Sequence, residues 1–182
     1  MHNKSEETSL WNDQYSMIGK FVVTFEETVN LIRYTLQLIL QQQGLKTFSL
    51  SAIIFEQKQF TAEPLISCFE SITNEILNQK DESKDILKRI SDFRKKFSKI
   101  IIIRNDLLHG TYHFGENHIF IGGEIPDDYF GITKGSPNKE GARKKQIANN
   151  KEDVEKYLEE LKKVRNEFWN LKFELLRHLY KK

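Results

Sequence analysis

From Trp11 to Ile39 the apolar residues step by four and three without a break: Trp11, Tyr15, Ile18, Val22, Phe25, Val29, Ile32, Leu36, Ile39. That spacing is one face of an α-helix. Phe21, Leu31 and Leu38 widen the face, and Gly44 stands where such a helix should stop. A stripe this long is buried by packing on other helices, and the chain supplies them. A short helix is expected around Leu50 to Phe55. Another starts near Pro64, a favourable first-turn residue, and runs through Leu65, Phe69, Ile72 and Ile76. Lys80 to Ser83 reads as a break. Ile86, Ile90, Phe93, Phe97 and Ile100 open the next helix. At the far end Asn150 can cap a last helix, with Glu152 and Asp153 in its first turn. Val154, Tyr157, Leu161, Val164, Phe168, Leu171, Leu175 and Leu179 form its stripe. The pattern predicts an all-α chain with a four- or five-helix bundle.

Between Gly110 and Asn150 the character changes. Tyr112, Phe114, Ile119 and Ile121 flank Gly115-Glu116-Asn117, which predicts a small β-hairpin. Gly122 to Asn150 then carries five glycines and two of the three prolines and shows neither a helical nor a strand period. Such a segment reads as a long irregular loop. The whole is expected to be one domain over 1–182, with a polar N-terminal segment at 1–13 and a hairpin-and-loop insertion at 111–149.

Composition narrows the setting. At 182 residues, 38% hydrophobic and 30% charged, the chain can bury a sizeable core. No run reaches the ~18 apolar residues of a membrane helix, and no signal-peptide pattern opens the chain. The single cysteine, Cys68, excludes an intrachain disulfide and sits on a helical pattern as a core thiol. A reducing cytoplasm is the expected location. A net charge of +2 gives a weak overall field, but local clusters can still hold nucleic acid. Arg94, Lys95, Lys96 and Lys99 form one cluster; Arg143, Lys144 and Lys145 form another. Charge runs of this kind are more often solvated faces than binding surfaces.

One helix breaks its own rule. The stripe from Ile86 reaches Ile100 and then meets Arg104 before Leu107. A charge on a buried stripe costs several kcal/mol unless it is paired or reaches a polar cavity. Arg104 opens the sequence Arg104-Asn105-Asp106-Leu107-Leu108-His109, which follows four isoleucines and precedes Gly110. Arginine neutralises phosphates and histidine moves protons near neutral pH, so the pair suits phosphodiester chemistry. The two are five residues apart, or ~140° around an ideal helix. Either the helix ends near Gly110, a plausible C-cap, and lets His109 swing, or two copies of the motif meet across a dimer. Four consecutive isoleucines give the helix more apolar surface than one side of a bundle covers, which favours a homodimer. A plain reading stands beside this: Arg104 and Asn105 cap carbonyls or bind a neighbouring helix, and His109 favours the negative end of the helix dipole. Glu26 and Glu27 are candidate partners for Arg104. His109, His113 and His118 lie close enough in sequence to raise a zinc site, but strand positions explain the last two, and no metal or cofactor is expected.

The six residues from Arg104 to His109 resemble the R-x4-6-H motif of HEPN domains, in the form with Asn after Arg. The likeness covers roughly residues 14 to 110 and the last helix. It implies a HEPN-like helical fold and a metal-independent endoribonuclease, a toxin or phage-defence effector restrained by an antitoxin or regulatory protein. It also implies dimerisation that joins two motifs in one cleft. Arg104, Asn105 and His109 would be catalytic. Lys96, Lys99, Tyr112, His113, Arg143, Lys144 and Lys145 would hold RNA. In HEPN toxins paired with a nucleotidyltransferase, a tyrosine usually stands two residues after the histidine; here Tyr112 stands at three. Non-catalytic HEPN domains exist, so the alternative is a helical module for dimerisation or for binding a partner or a nucleotide.

Overall fold

The computed structural model describes residues 4–45, 47, 53–55, 61–77, 84–114, 130–138 and 141–180. They are mostly helical: α1 (Lys4–Gln42), α2 (Ala62–Leu77), α3 (Lys84–Leu108) and α4 (Lys151–Tyr180), with a short helical turn at 53–55. Three strands, β1 (Thr111–Phe114), β2 (Phe130–Asn138) and β3 (Gly141–Ala148), form one antiparallel sheet in that order. Among the described residues, no helix is long and apolar enough to cross a membrane.

The helix ends follow from named residues. Gly44 takes a left-handed φ of 97°, which costs glycine little. It lets Leu45 N–H reach the Leu40 carbonyl at 3.0 Å and Gly44 N–H the Gln41 carbonyl at 3.1 Å, satisfying carbonyls that a helix end leaves bare. Asn150 caps α4 as expected: its Oδ1 accepts from Asp153 N–H at 3.0 Å, and Asp153 Oδ2 accepts from Asn149 N–H at 2.9 Å. That backbone hydrogen bond holds the Asp153 carboxyl below its ordinary range. At the other end of the chain α1 begins at Lys4.

The contacts group into two compact units, residues 1–23 with 102–160 and residues 24–101 with 161–182. The second unit is helical. Phe25, Phe93 and Phe97 stack at 5.6 Å steps, and Phe168 meets Phe93 at 4.7 Å and Phe69 at 5.3 Å. Ile32, Leu36, Ile39, Leu65, Ile90 and Leu175 are fully buried around them. Ion pairs tie its surface: Arg94 to Glu70, Arg89 to Glu174, and Lys96 to Glu167 at 2.7 Å. Cys68 is half-buried rather than a full core thiol, and burial raises its pKa.

The first unit holds the sheet, and here two expectations change. β1 does form at the first arm of the expected hairpin, but it pairs with β2, Thr111 opposite Thr133 and Phe114 opposite Phe130. The expected turn and second arm, through Ile121, lie outside the described residues. The segment 122–150, read as irregular, contains the hairpin of β2 and β3, paired from Ile132–Ala148 to Asn138–Gly141. Gly131, Gly135, Pro137 and Gly141 masked it, because these residues weaken a strand pattern without forbidding a short hairpin. The fold is therefore mostly helical with a small sheet. Phe130, Ile132, Ile147, Ala148, Val154 and Leu107 are buried within this unit.

Candidate functional site

The stripe of α3 runs as the spacing requires. Ile90, Phe93, Phe97, Ile100 and Leu107 are buried, and Arg104 occupies its stripe position half-buried. Arg104 Nη1 donates to Asn105 Oδ1 at 3.2 Å, so the asparagine helps set the guanidinium. α3 ends at Leu108, but His109 N–H still donates to the Asn105 carbonyl at 3.1 Å. His109 thus keeps helical register and has not swung away from it. Its side chain is exposed. Ile102, Asn105 and His109 follow steps of three and four and share one helix face.

Gly110 differs from its expected part. It is not left-handed; among the described residues only Gly44 is at positive φ. Its requirement is space. A Cβ there would stand 2.5 Å from Ile132 Cγ2 and 2.8 Å from the Asp106 carbonyl oxygen, so β2 crosses too close for any side chain. The isoleucines are also better covered than expected: Ile100 and Ile101 are buried and Ile103 half-buried, while Ile102 is 57% exposed.

Asp106 is the residue that the sequence passed over. It is 7% exposed, and its two oxygens accept from Lys134 at 2.7 Å and Lys145 at 2.8 Å. Lys134 and Lys145 are direct cross-strand partners in β2 and β3. Like charges so placed repel, and one carboxylate between them turns the repulsion into a clamp of strand to helix. Burial pushes the Asp106 carboxyl up, but the two lysine hydrogen bonds and charges outweigh it and hold the pKa below its ordinary value. Lys145 therefore has a structural task that its place in a basic triplet concealed. The only sequence signal was a carboxylate set directly before the apolar pair Leu107-Leu108.

The remaining candidates divide. Tyr112 is half-buried, and its hydroxyl donates to the Leu107 carbonyl, one of the carbonyls freed at the end of α3. Burial raises its pKa, and Tyr15 adds to the shift. His113 is half-buried with Nε2 2.8 Å from the Thr133 hydroxyl. Lys144 is exposed on β3, and Arg143 stands in β3 opposite Ser136. Lys96 and Lys99 belong to the other unit; Lys99 is exposed and Lys96 is bound to Glu167. Glu27, a candidate partner of Arg104, is taken by Arg165 at 2.7 Å. No group of three or more metal-ligating side chains forms among the described residues, and His118 lies outside them.

Comparison with protein-family models, with curated proteins and with solved structures finds no match for this chain.

Proposed function

We propose that this chain is a HEPN-type endoribonuclease that cleaves RNA without a metal, as a homodimer, in a toxin or phage-defence role in the cytoplasm. The observation that carries the reading is the arrangement at the end of α3. Arg104 is held by Asn105, and Asn105 and His109 share a helix face with the exposed Ile102. Because His109 keeps helical register, one copy does not turn Arg104 and His109 toward a common point. A second copy docked on the Ile102 face covers that isoleucine and brings two motifs together.

In this mechanism the RNA 2′-oxygen attacks the adjacent phosphorus. The new O–P bond forms as the bond to the 5′-oxygen breaks, leaving a cyclic phosphate and a 5′-hydroxyl. One His109 takes the 2′-hydroxyl proton and the other supplies a proton to the leaving oxygen. Arg104 neutralises charge on the phosphoryl oxygens. DNA, lacking the 2′-hydroxyl, is inert. An antitoxin or regulatory protein restrains the activity, as the HEPN likeness implies.

The test is incubation of the purified chain with mixed RNA, with and without EDTA. His109→Ala and Arg104→Ala should each lower the rate by ~10²–10⁴ while fold and dimer persist. Undiminished cleavage by both variants refutes the assignment, and loss with EDTA moves it to metal chemistry. A second reading, a non-catalytic module that dimerises or binds a partner or nucleotide, draws on the structural tasks of Asp106, Gly110 and Tyr112. It predicts no cleavage by the unmodified chain.

A further inference from the structure

The unit built from residues 24–101 and 161–182 holds a cavity of about 590 Å³. That volume falls within the range of small-molecule sites, roughly 300–1,000 Å³. Leu31 and Tyr34 of α1 line one side, and Asn166, Trp169 and Lys172 of α4 line the other. Lys172 is the unusual member. It is 8% exposed, and its ammonium lies 4.8 Å from the Trp169 ring, 5.1 Å from Tyr34 and 5.7 Å from Phe173. Among the described residues no carboxylate pairs with it. Glu27, the acid lining the same cavity, is bound by Arg165.

Aromatic faces attract a cation through their quadrupoles, but they carry no net charge to cancel it. The positive centre therefore sits on a residue that is only 8% exposed, where an entering anion gains more than it would in open water. Trp169 and Tyr34 are themselves 47% and 45% exposed, so ring surface remains open beside the charge. The exposed Asn166 adds an amide donor and acceptor at the same wall. Leu31, the open rings, one uncancelled ammonium and one amide are complementary to a flat apolar body with a single negative group.

We propose that this cavity binds a small planar aromatic anion, an arene bearing a carboxylate or a phosphate. The ring stacks at Trp169 and the anionic group meets Lys172. The site uses none of Arg104, Asn105 or His109, so it stands or falls apart from RNA cleavage.

The full chain is titrated by calorimetry with naphthoate, naphthyl phosphate and the neutral isostere naphthylmethanol. At least one anion should bind saturably at one site, and the neutral compound about tenfold more weakly or worse, as expected for loss of a charge-assisted contact. The preferred anion identifies the carboxylate or the phosphate class. Lys172→Met, which keeps the buried stem, should weaken the anion by about tenfold or more and leave the neutral compound unchanged. Asn166→Asp, at an exposed position, should weaken the anion by like-charge repulsion and keeps the test decisive if Lys172→Met does not fold. The proposal is overturned if neither anion saturates by about 10 mM. It is equally overturned if the neutral isostere binds as well as the anions, or if the folded variants bind as the unmodified chain does.

Discussion

Two buried charges among the described residues are held in opposite ways. Asp106 has both oxygens bonded to lysines, so its charge is cancelled and used. Lys172 has three rings and no counter-charge among the described residues, so its charge is tolerated and left available. The first arrangement fixes structure, since removing one partner strands the others. The second leaves an electrostatic centre beside open ring surface. A buried ion that is fully bonded thus reads as architecture, and one that is cushioned only by rings reads as a binding group.

The sharpest break of this comparison is Asp106→Asn. It leaves Lys134 and Lys145 opposed across β2 and β3 with no carboxylate between them. Because the lysines are partly exposed, the loss should fall below the full cost of stranding a buried charge, at about 2 kcal/mol. In a chain of this size that is roughly 4–8 °C in Tm. The pH dependence supplies the sign. The folded pKa of Asp106 lies below its unfolded value, so its contribution is complete above the unfolded pKa, near ~3.9, and is lost as pH falls through the folded one. The stability gap between the unmodified chain and Asp106→Asn should therefore be full at pH 7 and close in acid. A gap that does not narrow as pH falls below the unfolded pKa means that shape, not charge, was lost.

Gly110→Ala comes next. Its Cβ meets a backbone oxygen and the Cγ2 of buried Ile132, so β2 or the end of α3 must shift. Overpacking of this kind costs about 1–3 kcal/mol, read as a lower urea midpoint. No change in midpoint would mean that the sheet docks more loosely than the contact implies.

The sequence was legible wherever one element explained a residue by itself. The stripes of α3 and α4, that of α1 from Ile18 on, the stop at Gly44 and the cap at Asn150 follow from local periodicity and local hydrogen bonding, whereas Tyr15, on the α1 stripe, is 54% exposed. It was not legible where partners come from afar. Asp106 is 28 and 39 residues from its lysines, and Gly110 is constrained by a strand with its own weak pattern. The same holds for Lys172, whose ring from Tyr34 lies on α1. At the candidate site, Arg104 and Asn105 were readable as neighbours, but the structural duties of Lys145 and Tyr112 were not.

That distinction changes how RNA contact is tested in the first unit. Mutating Lys145 disturbs the clamp, so it confounds binding with folding. Lys144, exposed on the next position of β3, does not. Lys144→Ala should leave Tm unchanged and, if this strand holds a phosphate, lower the log–log salt slope of RNA binding by roughly one unit. An unaltered slope removes Lys144 from the RNA surface.

The smallest expected effect tests the other half of the comparison. Lys172→Met removes a buried charge and keeps the stem that packs among Tyr34, Trp169 and Phe173. The loss of the ring attraction, up to about 2 kcal/mol where desolvated, is offset by the desolvation penalty that no longer applies. Thermal unfolding should therefore shift by less than about 1 kcal/mol in either direction, and a small gain is as consistent as a small loss. Asp106→Asn, by contrast, has no such offset, because the lysines it strands keep their charge. If Lys172→Met instead cost as much as Asp106→Asn, the rings would be holding the lysine for the fold. The contrast between a charge used for structure and a charge kept for a ligand would then collapse.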